Sequence, residues 1–188
     1  GDLKILLIDC GVKANIIRSF LKMNTTVIRV PWDYDFTNDE YDGLFISNGP
    51  GDPMRCTAAI NHLKHALEQD KPIFGICMGN QLLALASGAK TYKLKYGHHG
   101  YNQPVIDTET NKAFITSQNH CYAVDSHTLP NDWESYFNNL NDGSNEGIKH
   151  KTKPFSSVQF HPEAAGGPTD TEFLFNRFIE QVIKWKQK

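Results

Sequence analysis

Short apolar runs alternate with segments of helical periodicity through the first half of the chain, and that alternation leaves few folds open. Leu3 to Ile8, Thr25 to Val30, GLFISNG from Gly43 and KPIFGI from Lys71 each read as a strand buried on both faces. Between them, Ile16, Ile17, Phe20 and Leu21 form one apolar stripe with Lys13, Arg18 and Lys22 around it. Ala59, Ile60, Leu63, Ala66 and Leu67 form a second, and Asn80 to Ser87 reads as a short helix stopped by Gly88. Strand and helix in strict succession predict a parallel sheet covered on both sides. The pattern changes after Thr91. From there to Phe160, short strands separated by Asn, Asp and Gly turns predict an antiparallel extension. A final helix is expected after Pro168, with Thr169 and Glu172 at capping-box spacing and Leu174, Phe178, Val182 and Ile183 buried. The reading is one domain over residues 1–188, a three-layer α/β/α open and mostly parallel sheet, and the missing initiator methionine suggests a fragment of a longer polypeptide.

Composition excludes several function classes. A formal charge of −2 gives no global field for nucleic acid or an anionic membrane. The apolar opening is broken by Asp9 and too short to span a bilayer, so no membrane segment is expected. Cys10, Cys56, Cys77 and Cys121 form no C-x-x-C pair, which argues against a disulfide framework or zinc knuckle and for a reducing compartment, cytoplasmic by default and mitochondrial as the alternative.

The stretch FGICMGNQ, Phe74 to Gln81, sets Cys77 between Gly75 and Gly79 where a strand gives way to a helix. That is the form of a nucleophile elbow, in which a tight turn lifts the side chain clear. The following helix turns its N–H groups and positive end toward the sulfur, and the Met78 N–H is placed for an oxyanion. Taken alone, such a cysteine is more often a small buried hydrophobe. A nucleophilic thiol needs a base, and His161 is the best placed of the histidines. SSVQFHPE reads as a strand ending at Pro162, so His161 lies at a carboxyl end, where open α/β sheets form their crevices. Glu163 follows two residues later, returned by extended backbone to the same side, where a carboxylate orients an imidazole. The adjacent His120 and Cys121 are rejected as a dyad, because neighbours on a strand point to opposite faces. His98 and His99 find no third ligand at suitable spacing, so a solvated turn is preferred and no metal site is expected. SNGPGDP, Ser47 to Pro53, lacks the lysine of a P-loop and reads as the second wall of the cysteine site.

In that order, SNGPGDP, FGICMGNQ and VQFHPE resemble the class I (triad-type) glutamine amidotransferases, a flavodoxin-like fold class. DCGVKANIIRSFL, GAKTYKLKYGHHGYNQPV, SQNHCYAV and NDGSNEGI narrow the resemblance to the glutaminase domain of carbamoyl-phosphate synthetase, of eukaryotic type, over essentially the whole chain. The resemblance implies hydrolysis of the L-glutamine side-chain amide, with Cys77 attacking, His161 moving protons and Glu163 orienting it. It implies substrate contacts from Gly49, Gly51 and the main chain of Met78, with Gln81, Asn119 and Tyr122 holding the amino-acid end. It also implies ammonia transfer to a synthetase, separate or fused, that supplies the ATP and magnesium chemistry, with no cofactor in this domain. A preceding domain, which in the family adds a glutamine-contacting serine, lies outside these residues. Two further readings keep the chain in other classes: another Cys-His hydrolase acting on γ-glutamyl bonds, or a structural module docked on the synthetase. Departures are Met78 for leucine, Asn80 for histidine and Cys121 for glycine. A side chain at Cys121 is expected to crowd the substrate's backbone groups.

Overall fold

In the computed structural model, which describes residues 1–164 and 168–188, nine strands form one sheet in the order β2-β1-β3-β4-β9-β8-β7-β5-β6. The parallel part holds β1 (Leu3–Asp9), β2 (Thr25–Pro31), β3 (Gly43–Ile46), β4 (Ile73–Ile76) and β9 (Phe155–Val158). The antiparallel part holds β5 (Lys90–Asp107), β6 (Ala113–Asp125), β7 (Trp133–Asn139) and β8 (Asn145–His150). Four helices cover the sheet: α1 (Ala14–Leu21), α2 (Thr57–Glu68), α3 (Met78–Ser87) and α4 (Phe173–Lys186).

The apolar runs are continuous because both faces are covered. In β1, Ile5 and Leu7 join Ile16 and Phe20 of α1 and Leu174 and Phe178 of α4 in one core. Leu6 and Ile8 point the other way, against Ala59 and Leu63 of α2 and Leu82 and Leu83 of α3. The predicted three-layer arrangement and its antiparallel extension are therefore present.

Boundaries differ in instructive ways. The extension is not built of short strands: β5 runs for 18 residues and β6 for 13, kept together by register shifts between Lys93 and His98 and between Gly100 and Gln103. The final helix begins at Phe173, and no side chain caps it. Thr169 instead accepts the Glu172 N–H through its own backbone carbonyl, closing a turn before the helix. Leu174, Phe178 and Val182 are buried as expected, whereas Ile183 is 40% exposed and Leu21 of α1 is 60% exposed, so each apolar stripe is narrower than the sequence suggests. No helix among the described residues is long and apolar enough to cross a membrane.

Candidate active site

Cys77 is the hinge between β4 and α3. Its φ of +55° and ψ of −102° lie where an L side chain is strained, and such outliers persist only where the surroundings enforce them. Here β9 does so: the Cys77 N–H donates to the Val158 carbonyl at 2.8 Å, extending the β4–β9 ladder one step past Ile76. The flanking glycines make the bend possible. A Cβ at Gly79 would lie 2.2 Å from the Ile46 carbonyl oxygen, and one at Gly75 would lie 2.7 Å from the Gly79 backbone. The helix starts at Met78, two residues before the predicted Asn80, so the N–H groups of Met78 and Gly79, beside the sulfur, have no intrahelical acceptor, while that of Asn80 donates to the Cys77 carbonyl at 3.1 Å.

His161 lies three residues past the end of β9, adjacent to β4, and is tied down by its own N–H to the Ser117 carbonyl. The strand does not continue to Pro162 as predicted. Residues Pro162 and Glu163 form a turn instead, and through that turn Glu163 Oε1 reaches within 2.8 Å of His161 Nδ1. Nε2 is left for the sulfur. Burial works against a charged ring, but the neighbouring Cys77 sulfur and the Glu163 carboxylate outweigh it and raise His161 to about 9. Burial pushes the Glu163 carboxyl up, and the His161 ring more than offsets this, holding it below its usual range.

Lys13 belongs to this group, although the sequence presents it as solvated flank. Its Nζ lies 3.3 Å from His161 Nδ1 and 3.5 Å from Glu163 Oε1. Asn15 Nδ2 donates to the Glu163 carbonyl. Both stand where β1 passes into α1, at the carboxyl end of a strand, and that position is the available signal.

Cys77 is 5% exposed, and that opening faces a cavity of about 320 Å³. Gly49, Gly51, Met78, Gln81, Asn119, Cys121 and Tyr122 all line the cavity, joined by Lys93, His99 and His120. His161 and Glu163 lie behind the cysteine, off the wall. Gly51 has φ +98°, and a Cβ at Gly49 would lie 2.1 Å from the Cys10 carbonyl oxygen, so glycine lets this loop pack directly against the end of β1 beside the cavity. Gln81 Nε2 donates to the Tyr122 carbonyl at 2.9 Å and to Gln159 Oε1 at 3.1 Å. Gln159, fully buried, also accepts from Asn80 Nδ2. It is a second residue that no sequence pattern singles out.

The two adjacent pairs of histidine and neighbour behave differently. His120 is buried and Cys121 exposed, so they do not form a dyad; Cys121 Sγ lies 3.9 Å from His99 Nε2 instead. The solvated turn at His98 and His99 is wrong. Both lie inside β5, and His98 is buried, with Nδ1 3.1 Å from Glu146 Oε1 and Nε2 2.8 Å from Asp142 Oδ2. Its partners come from 44 and 48 residues further along, beyond the reach of local spacing.

The profile described as glutamine amidotransferase class-I matches residues 6–181. A multifunctional protein pyr-3 from Neurospora crassa is 56% identical over 184 residues, 97% of this chain and 10% of that protein. A carbamoyl phosphate synthase arginine-specific small chain from Aspergillus niger is 54% identical over 185 residues, covering 97% of this chain and 41% of the relative. A multifunctional protein CAD from Squalus acanthias is 57% identical over 182 residues, 96% of this chain and 8% of the relative. The chain thus spans less than half the length of each of these relatives. Among solved structures, a putative GMP synthase component from Thermoplasma acidophilum superposes with a TM-score of 0.86 at 26% identity, over 98% of this chain and 96% of that one.

Proposed function

The chain belongs to the class I glutamine amidotransferase family, and we propose that it hydrolyses glutamine to supply ammonia to a carbamoyl-phosphate synthetase. The observation that carries the reading is the sulfur of Cys77, held at a strained bend against His161 and Glu163 and open to the cavity. The synthetase assignment is supported by relatives named carbamoyl phosphate synthase small chain and CAD, which match over nearly all of this chain. The four free thiols suit a reducing compartment, which we read as the cytosol.

In this reading glutamine lies with its side-chain amide at the sulfur and its amino-acid end among Gln81, Asn119 and Tyr122. Gln81 Nε2 is already engaged, so its Oε1 is the atom offered to the ligand's ammonium. The Cys77 thiolate attacks the amide carbon, and the oxyanion is met by the Met78 N–H and the backbone of Gly49 and Gly51. One such donor is worth about 3 kcal/mol. Protonated His161 gives its proton to the leaving nitrogen, and ammonia departs to leave a γ-glutamyl thioester. His161, now neutral, takes a proton from water as it attacks the thioester, and collapse releases glutamate and the thiolate. Glu163 keeps the imidazole oriented and favours its charged form. The ATP and magnesium chemistry belongs to the partner.

Cys77→Ser in the full assembly tests this. Glutamine-dependent carbamoyl phosphate synthesis is expected to fall to background while ammonia-dependent synthesis is retained. Surviving glutamine use would displace Cys77 as nucleophile.

A further inference from the structure

His98 and His120 stand opposite each other on β5 and β6, their rings edge to face with centroids 4.9 Å apart. Glu146 of β8 lies against both. All three are buried, and one donor atom from each lies within 4.8 Å of the others. Each ring has an outer partner and an inward-facing nitrogen. His98 Nε2 is 2.8 Å from Asp142 Oδ2, and His120 Nδ1 is 2.8 Å from the Tyr122 carbonyl. Each outer acceptor takes an N–H, so the inward nitrogens, His98 Nδ1 beside Glu146 Oε1 and His120 Nε2 beside Gln118 Oε1, are the two that an ion would hold in exchange for a proton. Those two atoms converge on Glu146 Oε1, at 3.1 and 4.0 Å. An outer acceptor that fixes one ring nitrogen so that the other can ligate is the arrangement proteins use for histidine ligands. A separate observation points the same way: Glu146 is fully buried, and its Oε2 has no hydrogen-bond partner. Its Oε1 is already met by His98 Nδ1 and by Asn139 Nδ2 at 3.0 Å, so Oε2 is the open acceptor of the cluster, and a buried oxygen without a partner is costly.

We propose that His98, His120 and Glu146 form a binding site for a divalent transition-metal ion of the Zn²⁺ class, oriented by Asp142 and the Tyr122 carbonyl. Two neutral imidazoles and one carboxylate suit zinc or cobalt; calcium and magnesium prefer all-oxygen shells. The spacing is close to what such an ion needs. Ligands about 2 Å from a tetrahedral metal lie roughly 3.3 Å apart. The His98–Glu146 pair already meets that, the His120–Glu146 pair closes by under ~1 Å, and the two histidine nitrogens, within 4.8 Å of each other, close by up to ~1.5 Å. Gln118 Oε1, 2.9 Å from His120 Nε2, is the group the metal displaces. Because His120 also lines the cavity, the ion would fasten β5, β6 and β8 directly behind the wall that faces glutamine.

The test uses the full chain carrying Cys77→Ser and Cys121→Ser, so that the cavity thiols cannot ligate, stripped with a chelator and titrated with Co²⁺ and then Zn²⁺. One equivalent of Co²⁺ should give the visible bands of a four-coordinate nitrogen–oxygen site without a thiolate charge-transfer band, and Zn²⁺ should erase them. Glu146→Gln, once shown folded by circular dichroism, should weaken Co²⁺ binding at least tenfold, and Asp142→Asn by roughly 10- to 100-fold. No bands in the doubly substituted parent, a thiolate band from Cys10 or Cys56, or undiminished affinity in folded Glu146→Gln would each overturn the site. The parent spectrum decides even if the variants do not fold.

Discussion

At the scale of single residues, reactivity comes from strain and from a shared proton. Cys77 keeps an unfavourable backbone angle because β9 and two glycines enforce it, and His161 stays protonated because a sulfur and a carboxylate flank it. Glu163→Gln therefore has two effects. Glutamine turnover is expected to fall roughly 10²- to 10⁴-fold. Since the carboxylate raises His161, its loss also moves the alkaline limb of the kcat/KM profile to lower pH, which a pH–rate series measures. Cys121 lines the cavity with its thiol exposed, and Cys121→Gly is expected to lower KM for glutamine a few-fold with kcat unchanged, read by steady-state kinetics. That Cys77, His161 and Glu163 lie together is legible because Gly-x-Cys-x-Gly and His-Pro-Glu are local patterns with local geometry. Lys13 is not, because what makes it part of the site is a contact with a residue 148 positions away.

At the scale of elements, α3 approaches β3 so closely that only glycine fits between them. Gly79→Ala places a methyl 2.2 Å from a backbone oxygen that cannot swing aside, and the fold should lose about 1–3 kcal/mol in urea unfolding. The histidine cluster joining β5, β6 and β8 predicts a pH dependence for the metal-free protein. The Glu146 hydrogen bond, helped by Asp142 against desolvation, holds His98 at about 9, so its contribution is complete below pH 6.5 and fades as pH rises toward 9. Burial lowers His120 to about 4, so stability is lost as pH falls from 6.5 toward 4, where the unfolded chain takes up a proton that the native ring refuses. With chelator present, these two groups favour a urea midpoint that peaks near pH 6.5, and His98→Asn should flatten the alkaline side. Here the sequence is least informative. The long strands β5 and β6 are partly exposed and punctuated by Gly and Asn, so their composition resembles turns, and only cross-strand pairing reveals them as strands.

At the scale of the whole molecule, two apolar layers on a parallel sheet hold the loop after β3, the elbow after β4 and the turn after β9 at one edge. Phe45 of β3, fully buried, ties together the layer under α1 and α4: its ring lies 4.8 Å from Phe20 of α1 and about 6 Å from Phe74, Phe175 and Phe178. Phe45→Ala is expected to cost about 3–5 kcal/mol in denaturant unfolding and to loosen the site with it. The layered plan can be read from sequence because buried parallel strands must be apolar throughout and surface helices must be striped. The strand order beyond β4 cannot, since it depends on pairings between segments far apart in the chain. The proposed function rests on the sulfur of Cys77 attacking a glutamine amide, and the most direct measurement is covalent trapping. Intact-mass and peptide analysis after exposure to a chloromethyl-ketone analogue of glutamine should show one adduct, on Cys77, suppressed by glutamine. Folded protein with no adduct there, or with the label on Cys121 alone, would contradict that chemistry.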